Sequence, residues 1–435
     1  MKNTLLRLIA SACLMSASAY AMAEHSSSGR LKYSYSYNYE QDSAQASKLL
    51  GEYSIDSYFD GFSSRIEFGV LHDGLGELGY GQDEVYLNRT LKPLRFGHSE
   101  LGLNDAFIKF ERDSYQLTLG KQVVSWGRAD AMYLLNTINP FDLRESLILD
   151  DEEKFLGLWM LNSQFYFSES EFQLLVIPDA NGHILPCQNC QYQMRAPRFH
   201  SDGIEQLQRI DDQSKKSASL KNTSVAARWS SSSDGLDYTI NIMRQLAHAP
   251  ALHVTEQNAQ YKGVLERDIE TKLGGSLSFA SEAWAYRFEG MVFLDRAMTT
   301  KHITLLQGSD KTDGFEYLFG FDYFGFNDAT LMLQFHQHVI TAKPNALKSE
   351  QYRERISVTY DSNYLNQRLM LRAFLMVGLD DSDSYAQFDL QYNHFDGFFS
   401  FVRLDAFSGK TYPQLGDMSQ FNLDSRIAVG FEYNF

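Results

Sequence analysis

Six residues able to recognise or exclude a charged solute fall within one stretch. They are Trp126, Arg128, Asp130, Asp142, Arg144 and Glu145, in GKQVVSWGRADAMYLLNTINPFDLRESLILDDEEKFLGLWML, which runs from Gly120 to Leu161. Guanidinium and carboxylate groups beside an indole suit a constriction, where side-chain charge sorts what passes. The same stretch carries Met132, Leu134, Leu135, Ile138, Phe141 and Leu147, too much apolar surface for a solvated loop. Two roles stay open. Folded inward, the 122–156 segment would set the bore of a channel, with those six as eyelet groups. Alternatively, Arg128, Asp130, Asp142 and Arg144 pair with one another and hold the loop to a wall.

Other reactive patterns are weaker. Cys187 and Cys190, in PCQNCQ, suit a local disulfide in an oxidising compartment. His183 and His200 stand near them, but without a fourth thiolate or firm histidine spacing no metal site is expected. Asp150-Asp151-Glu152-Glu153 and Asp380-Asp381-Ser382-Asp383 lack the spacing of a calcium loop, so solvation is the expected state. A hydrolase would need a serine set by histidine and a polar partner. No G-x-S-x-G run occurs, and His25-Ser26-Ser27 and His200-Ser201-Asp202 lie at the mature terminus and in a loop. No enzyme activity and no cofactor are expected.

The elements that must carry these residues are strands. Leu31, Tyr33, Tyr35, Tyr37 and Tyr39 alternate with Lys32, Ser34, Ser36 and Asn38. Trp284, Tyr286, Phe288, Val292 and Leu294 oppose Arg287 and Glu289, and Phe315 to Tyr323 oppose Glu316 and Asp322. Leu331, Leu333 and Phe335 alternate with Gln334 and His336, and like stripes run from Ile356, Leu369 and Phe388. Period-2 alternation puts successive side chains on opposite faces of a strand. Short turns fall near 60–63, 112–114, 168–171, 230–235, 280–283, 326–328, 361–366 and 394–397. The connections between them, 73–100, 122–156, 179–222, 246–269, 296–313, 341–350 and 408–420, are mostly longer. That alternation is the mark of an outer-membrane barrel with tight periplasmic turns and long extracellular loops. The count is about 18 strands, within 16–18, in a closed antiparallel transmembrane β-barrel.

Composition agrees. Of 435 residues, 14% are aromatic, including 31 Phe and 25 Tyr, while prolines number 8. Aromatic girdles and a polar lumen need such a mixture. A net charge of −16 argues against nucleic acid as a partner. Residues 1–23 read as an export signal, with Lys2 and Arg7 ahead of an apolar stretch and Ala21-Met22-Ala23 as the cleavage site. The barrel would then occupy 24–435 as one domain, with no room before Leu31 for a plug. Ile427, Val429, Phe431, Tyr433 and Phe435 form a terminal stripe resembling the signal read by the outer-membrane assembly machinery.

Strand parity sends Arg287, Arg353, Arg355, Arg372, Arg403 and Arg426 to the lumen, with Glu289, Glu316, Asp322, Asp389, Asp405 and Glu432. Acids and bases are about equal there, so wall pairing is expected and no ion preference follows.

Gly120, Gln122, Trp126, Gly127, Asn139, Pro140, Asp142 and Arg144, followed by the strands GLWML and LLVIPD, resemble a segment of a porin-like family. That family comprises proteobacterial outer-membrane barrels of uncharacterised function, some discussed alongside RND-type exporters, and the likeness extends loosely to alginate-export-type porins. The resemblance implies a barrel in the outer membrane and no particular substrate. The expected function is a channel passing or exporting a small or amphipathic solute. The alternative is an accessory barrel taking lipid or polysaccharide from a periplasmic export partner, with inward Met291, Phe293, Phe374 and Met376 lining its cavity. An outer-membrane hydrolase is a third reading. Outer-membrane lipid and lipopolysaccharide would surround any of these.

Overall fold

A strand that alternates apolar with polar side chains needs a different medium on each side, and here the two media are separated by a closed wall. The computed structural model describes residues 24–435 except 83–92, 128, 130–131, 146–147, 149–150, 188–189, 197–198, 200–201, 258–259, 303–307, 342–346 and 412–413. The expected signal 1–23, together with Arg128 and Asp130, lies outside the described residues.

The strands are β1 (Glu24–Asn38), β2 (Ser43–Phe59), β3 (Phe62–Asp73), β4 (Leu94–Phe96), β5 (Ser99–Arg112), β6 (Tyr115–Gln122), β7 (Leu158–Tyr166) and β8 (Ser170–Ile177). Then come β9 (Leu207–Asp212), β10 (Ser224–Ser233), β11 (Leu236–Leu246), β12 (Ala251–Gln257), β13 (Gln260–Glu266), β14 (Ile269–Ser281) and β15 (Trp284–Thr299). The rest are β16 (Ser309–Phe326), β17 (Ala329–Ile340), β18 (Tyr352–Tyr364), β19 (Leu369–Gly378), β20 (Asp383–Phe395), β21 (Phe398–Ser408) and β22 (Arg426–Asn434).

Eighteen of them form the wall, each antiparallel to the next, and β1 closes it by pairing with β22 from Arg30↔Asn434 to Asn38↔Arg426. Beyond that ladder, Phe435 and Gly29 exchange backbone hydrogen bonds of 2.8 and 3.0 Å. The short turns all lie at one end. At the β10–β11 turn, Asp234 (φ 52°) and Gly235 (φ 80°) both take positive φ, as a two-residue hairpin matching strand twist requires. Aromatic pairs gather at this end, including Phe59–Phe62 (4.4 Å), Phe395–Phe398 (5.1 Å) and Trp284–Tyr323 (4.6 Å). They make one of the two interface girdles.

Trp284, Tyr286, Val292 and Leu294 are exposed on the outer face of β15, whereas Glu289, Met291 and Phe293 are buried on the inner one. An outer surface this greasy requires lipid, and the barrel sits in the outer membrane. At the opposite end, β9, β12 and β13 form a separate three-stranded sheet, with β9 parallel to β13. Sequence alternation did not reveal this sheet, because its strands lie inside connections read as loops.

Candidate functional site

After Gln122 the chain leaves the wall and enters the lumen, returning at Leu158. Asn139 closes the neck of this excursion. Its Oδ1 accepts from Val124 N at 2.8 Å, and its Nδ2 donates to Leu156 O at 2.8 Å and Gln122 O at 3.3 Å. Beside it, Leu156 N donates to Pro140 O at 2.9 Å. The Asn-Pro pair is therefore a clasp between the outgoing and returning chain.

Trp126 does not face an opening. It is 1% exposed and packs with Val124, Ile138, Leu158, Met160, Leu175 and Met243, while its Nε1 donates to Gln173 Oε1 at 2.8 Å. Gly127, at φ +134°, lets the chain pass Glu289, whose carboxylate would lie 3.2 Å from any Cβ there. Ala129 N then donates to Glu289 Oε1 at 3.1 Å, which fastens the loop to β15. Met132, Leu134, Leu135 and Ile148 join one core with Met291, Phe374 and Met376. Those inward wall residues are covered by the loop and do not line an open greasy cavity, as the accessory reading expected.

The loop charges are buried pairs as well. Arg144 is 1% exposed; its Nη1 donates to Glu100 at 2.8 Å, its Nε to Asp142 at 3.0 Å, and its guanidinium lies 4.2 Å from the Tyr80 ring centre. Burial alone would lower its pKa, but Asp142 and then Glu100 outweigh that and hold it well above the ordinary value. Glu145 receives Lys48 Nζ at 2.7 Å, the Tyr80 hydroxyl at 2.9 Å and Arg426 Nη1 at 3.4 Å. Burial pushes its carboxyl up, yet Lys48 and Arg426 bring it below the ordinary range. Glu153, expected to be solvated, accepts from Lys32 and Lys48 at 2.8 Å each. Lys32 and Lys48, fixed on the wall, offset the cost of taking this carboxylate out of water.

Tyr80, Lys48 and Glu100 escaped the sequence reading. Tyr80 and Glu100 lie in or beside a connection read as loop, and Lys48 stands in a strand whose alternation is poor.

The lumen-facing set lies on the inner face and is paired. Arg287 bonds Asp322, Arg403 Nε meets Asp389 at 2.5 Å, Arg426 Nε meets Asp405 at 2.9 Å, and Arg372 lies 3.8 Å from Asp361. Arg353 and Arg355 share Asp417. A cavity of about 360 Å³ opens beside these two arginines, bounded also by Arg296, Glu316, His336 and His338. Glu316 gathers Arg296 at 2.7 Å and the two histidines at 3.4 and 3.1 Å. Asp383 is likewise buried, accepting Met418 N at 2.7 Å. A second cavity, of about 520 Å³, lies between the loop and β3–β7.

Cys187 and Cys190 are disulfide-bonded. His183 stacks on Phe141 and accepts from its backbone N at 2.8 Å; burial drives its pKa well below the ordinary value. Among the described residues no cluster of three or more metal-ligating side chains occurs. A Ser–His–Asp chain joins Ser309 Oγ to His253 Nδ1 (3.1 Å) and His253 Nε2 to Asp268 (2.7 Å). Ser309 is 8% exposed, so this chain fastens β12 to β16.

Residues 19–373 match the model of a family described as "Protein of unknown function (DUF1302)". No curated protein matches the chain. Solved structures with the same architecture include Acinetobacter baumannii OccAB4, at 10% identity, covering 95% of this chain and 98% of that one with a TM-score of 0.54. Pseudomonas aeruginosa OccK8 (OprE) shares 9% identity over 95% and 97% of the two chains, TM-score 0.51. A BenF-like porin from Pseudomonas fluorescens Pf-5 shares 9% over 95% and 98%, TM-score 0.50. At these identities the likeness is one of fold.

Proposed function

The chain belongs to the DUF1302 family, and from its geometry we propose that it is an outer-membrane channel for a small or amphipathic solute, with the 122–156 segment as its constriction. One observation carries this reading. A loop crosses the lumen and is ion-paired to Lys48, Glu100 and Arg426 on the wall, with one charged cavity between it and the wall and another beside Arg353 and Arg355. A barrel built only as an anchor would not need a loop fixed at such desolvation cost. The loop's own charges act as fasteners, and the solute meets Arg296, His336, His338, Arg353 and Arg355 on one side. Fixed charges on a narrow wall sort solutes by charge and hydrogen bonding.

Planar-bilayer recording of the refolded full chain tests this. Stable unitary ion conductance is the expected result. Persistent silence in membranes that contain folded protein sinks the channel reading.

A further inference from the structure

Besides the inward loop, a second segment crosses the barrel. The chain leaves β8 after Ile177 and reaches residues 409–425, which join β21 to β22. Those two places stand on nearly opposite sides of the ring, with β7, β6, β5, β3, β2 and β1 between them on the shorter way round. The crossing is fixed at its root, where His183 N donates to His248 O at 3.0 Å, Ile184 N to Phe141 O at 2.9 Å, and Arg267 to Ala180 O. Farther on, the Cys187–Cys190 disulfide packs on Gly79, where a Cβ would lie 2.6 Å from Cys187 Sγ. Beyond it Gln191 N donates to Glu77 O at 3.0 Å, and Arg195 N and Ala196 N donate to Gln420 Oε1 at 2.8 and 3.0 Å. Residues 191–196 are thus a strap seated on the far rim.

Its seat is unlike that of the inward loop. Buried ion pairs hold the loop, whereas neutral amides hold the strap, and two groups beneath it are poorly satisfied. Tyr192 is fully buried at φ 59°, in a backbone region that residues other than glycine rarely take. It packs on Phe421, with 6.0 Å between ring centres, in one core with Leu78, Tyr80, Ile148 and Phe407. Among the described residues its hydroxyl has no hydrogen-bond partner, which costs free energy in a buried group. Asp424 is fully buried too. Its Oδ1 accepts from Gln191 Nε2, its Oδ2 has no hydrogen-bond partner among the described residues, and Arg195 Nη1 lies 4.0 Å away. Gln45 Nε2 reaches the Asp424 backbone oxygen at 3.2 Å, not the carboxylate. The other charges near Tyr192 are Asp405 and Glu145, both bonded to Arg426. One amide and a distant guanidinium replace little of the hydration that a carboxylate loses on burial. Burial pushes the Asp424 carboxyl up to about 6, although Arg195 and Gln191 pull it down.

We propose that residues 191–196 are a gate, seated across the mouth while Asp424 is protonated and lifted when Asp424 ionises, above an inward loop that stays in place. The proposal rests on the channel reading, and the tests separate the two. Lifting returns Asp424, Arg195 and the Tyr192 hydroxyl to water and releases Tyr192 from its backbone conformation. Asp424 has the ordinary value of 3.8 in a lifted strap and about 6 in a seated one. Seating is therefore unopposed below 3.8 and loses ground as pH rises through 6. With these two values, the equilibrium constant for lifting grows about tenfold from pH 5 to pH 7.5. At the root of the crossing, burial keeps His183 and His248 neutral over that interval, the latter with its pKa brought down to about 4.

Hydrogen–deuterium exchange of the full chain in lipid nanodiscs reads the strap directly. Corrected for the intrinsic effect of pH, exchange of the 191–196 amides is expected to quicken about tenfold from pH 5 to pH 7.5. The Val124 and Leu156 amides, in the neck of the inward loop, should hold constant. Asp424→Asn, which keeps an acceptor oxygen for Gln191 and never ionises, should abolish the change. Equal exchange at the two pH values, or a change that survives in Asp424→Asn, overturns the proposal. Bilayer recording then reads the gate. The odds of opening should rise by the same factor in the native chain and stay flat in Asp424→Asn. Tyr192→Phe, which removes the orphaned hydroxyl from the seated strap, should lower those odds at least about fivefold. Openings that ignore both pH and Tyr192→Phe while strap exchange titrates overturn the gate. Strap exchange that titrates with no current at any pH overturns the channel reading and leaves the movement of the strap standing.

Discussion

Two arcs of the same barrel solve the problem of an inner face differently. From β14 to β22, nine strands of 9 to 18 residues pair without a break in the wall. Their inner faces are rich in charged and polar groups, such as Glu289, Gln334, Ser357, Thr359 and Asp405. From β6 to β10 the wall strands have 8, 9, 8 and 10 residues. Their inner face carries Leu158, Met160, Leu175 and Ala226 buried beneath Trp126 and Ile138, beside the buried amides Gln122, Asn162 and Gln173, which bond to one another. Their outer face carries Leu119, Leu161 and Val225, exposed to lipid. The long arc thus separates lipid from a polar lumen, while the short arc separates lipid from a protein core. Strand alternation is a record of two unlike media, and it fades wherever both are apolar.

Breaking the fastening of the inward loop should erase this difference. Arg144→Ala leaves Asp142 and Glu100 buried without their cation, a loss of about 3–5 kcal/mol of loop docking. The expected outcome is a larger, noisier unitary conductance and new protease cleavage between residues 123 and 157. Unchanged conductance with an intact loop would mean that the short arc does not depend on this pair.

Two substitutions of about 2–4 kcal/mol sharpen the contrast. Leu175→Ala empties a fully buried site inside the short arc, and should lower the urea midpoint as a core deletion in a soluble protein does. Leu333→Arg puts a cation on the lipid face of β17, where the cost depends on depth in the bilayer. Refolding into bilayers of different thickness should change the second penalty and leave the first alone. If both respond alike, the short arc faces lipid on the inside too.

A smaller effect belongs to the disulfide. Cys187–Cys190 closes a loop of only a few residues beside Gly79, so replacing both by serine should cost about 2 kcal/mol or less. Thermal unfolding of the whole chain measures it, and a large drop would show that the bond also holds the lumen loops over the short arc.

The long arc was the legible part of the molecule. Its stripes from Trp284, Phe315, Leu331, Ile356, Leu369 and Phe388 fix both strand and face, and the eighteen-strand count follows from them with the eight short turns. The neck of the inward loop was legible as a cluster of Gln122, Asn139, Pro140, Asp142 and Arg144. The function of each residue was not, because their partners are remote in the chain. Glu145 and Arg426 stand 281 residues apart, and Lys48 and Glu145 97. The bulge at Asn104 leaves no periodic trace either, since a single extra residue resets the alternation.

Joined to the long arc at the His253 contacts with Ser309 and Asp268, the three-stranded sheet should give the smallest response, and one controlled by pH. His253 Nε2 lies 2.7 Å from Asp268, linking β12 to the chain that enters β14. The hydrogen bond to Asp268 raises the His253 pKa above 6.5 despite partial burial. Burial pushes the Asp268 carboxyl up, but His253 and Lys311 bring it below 3.8. Stability from the histidine is complete below 6.5 and disappears as pH rises through its folded pKa. Stability from the carboxylate is complete above 3.8 and disappears as pH falls through its folded value. Backbone amide protection in β12 and β13 should therefore have a plateau between about pH 4 and 6.5 and decline on either side. Protection in β14–β22 should stay flat across that range, and His253→Gln should flatten the alkaline limb in the outer sheet. A barrel wall whose protection tracks the same titration would show that the outer sheet braces it, which would end the separation between arcs and loops.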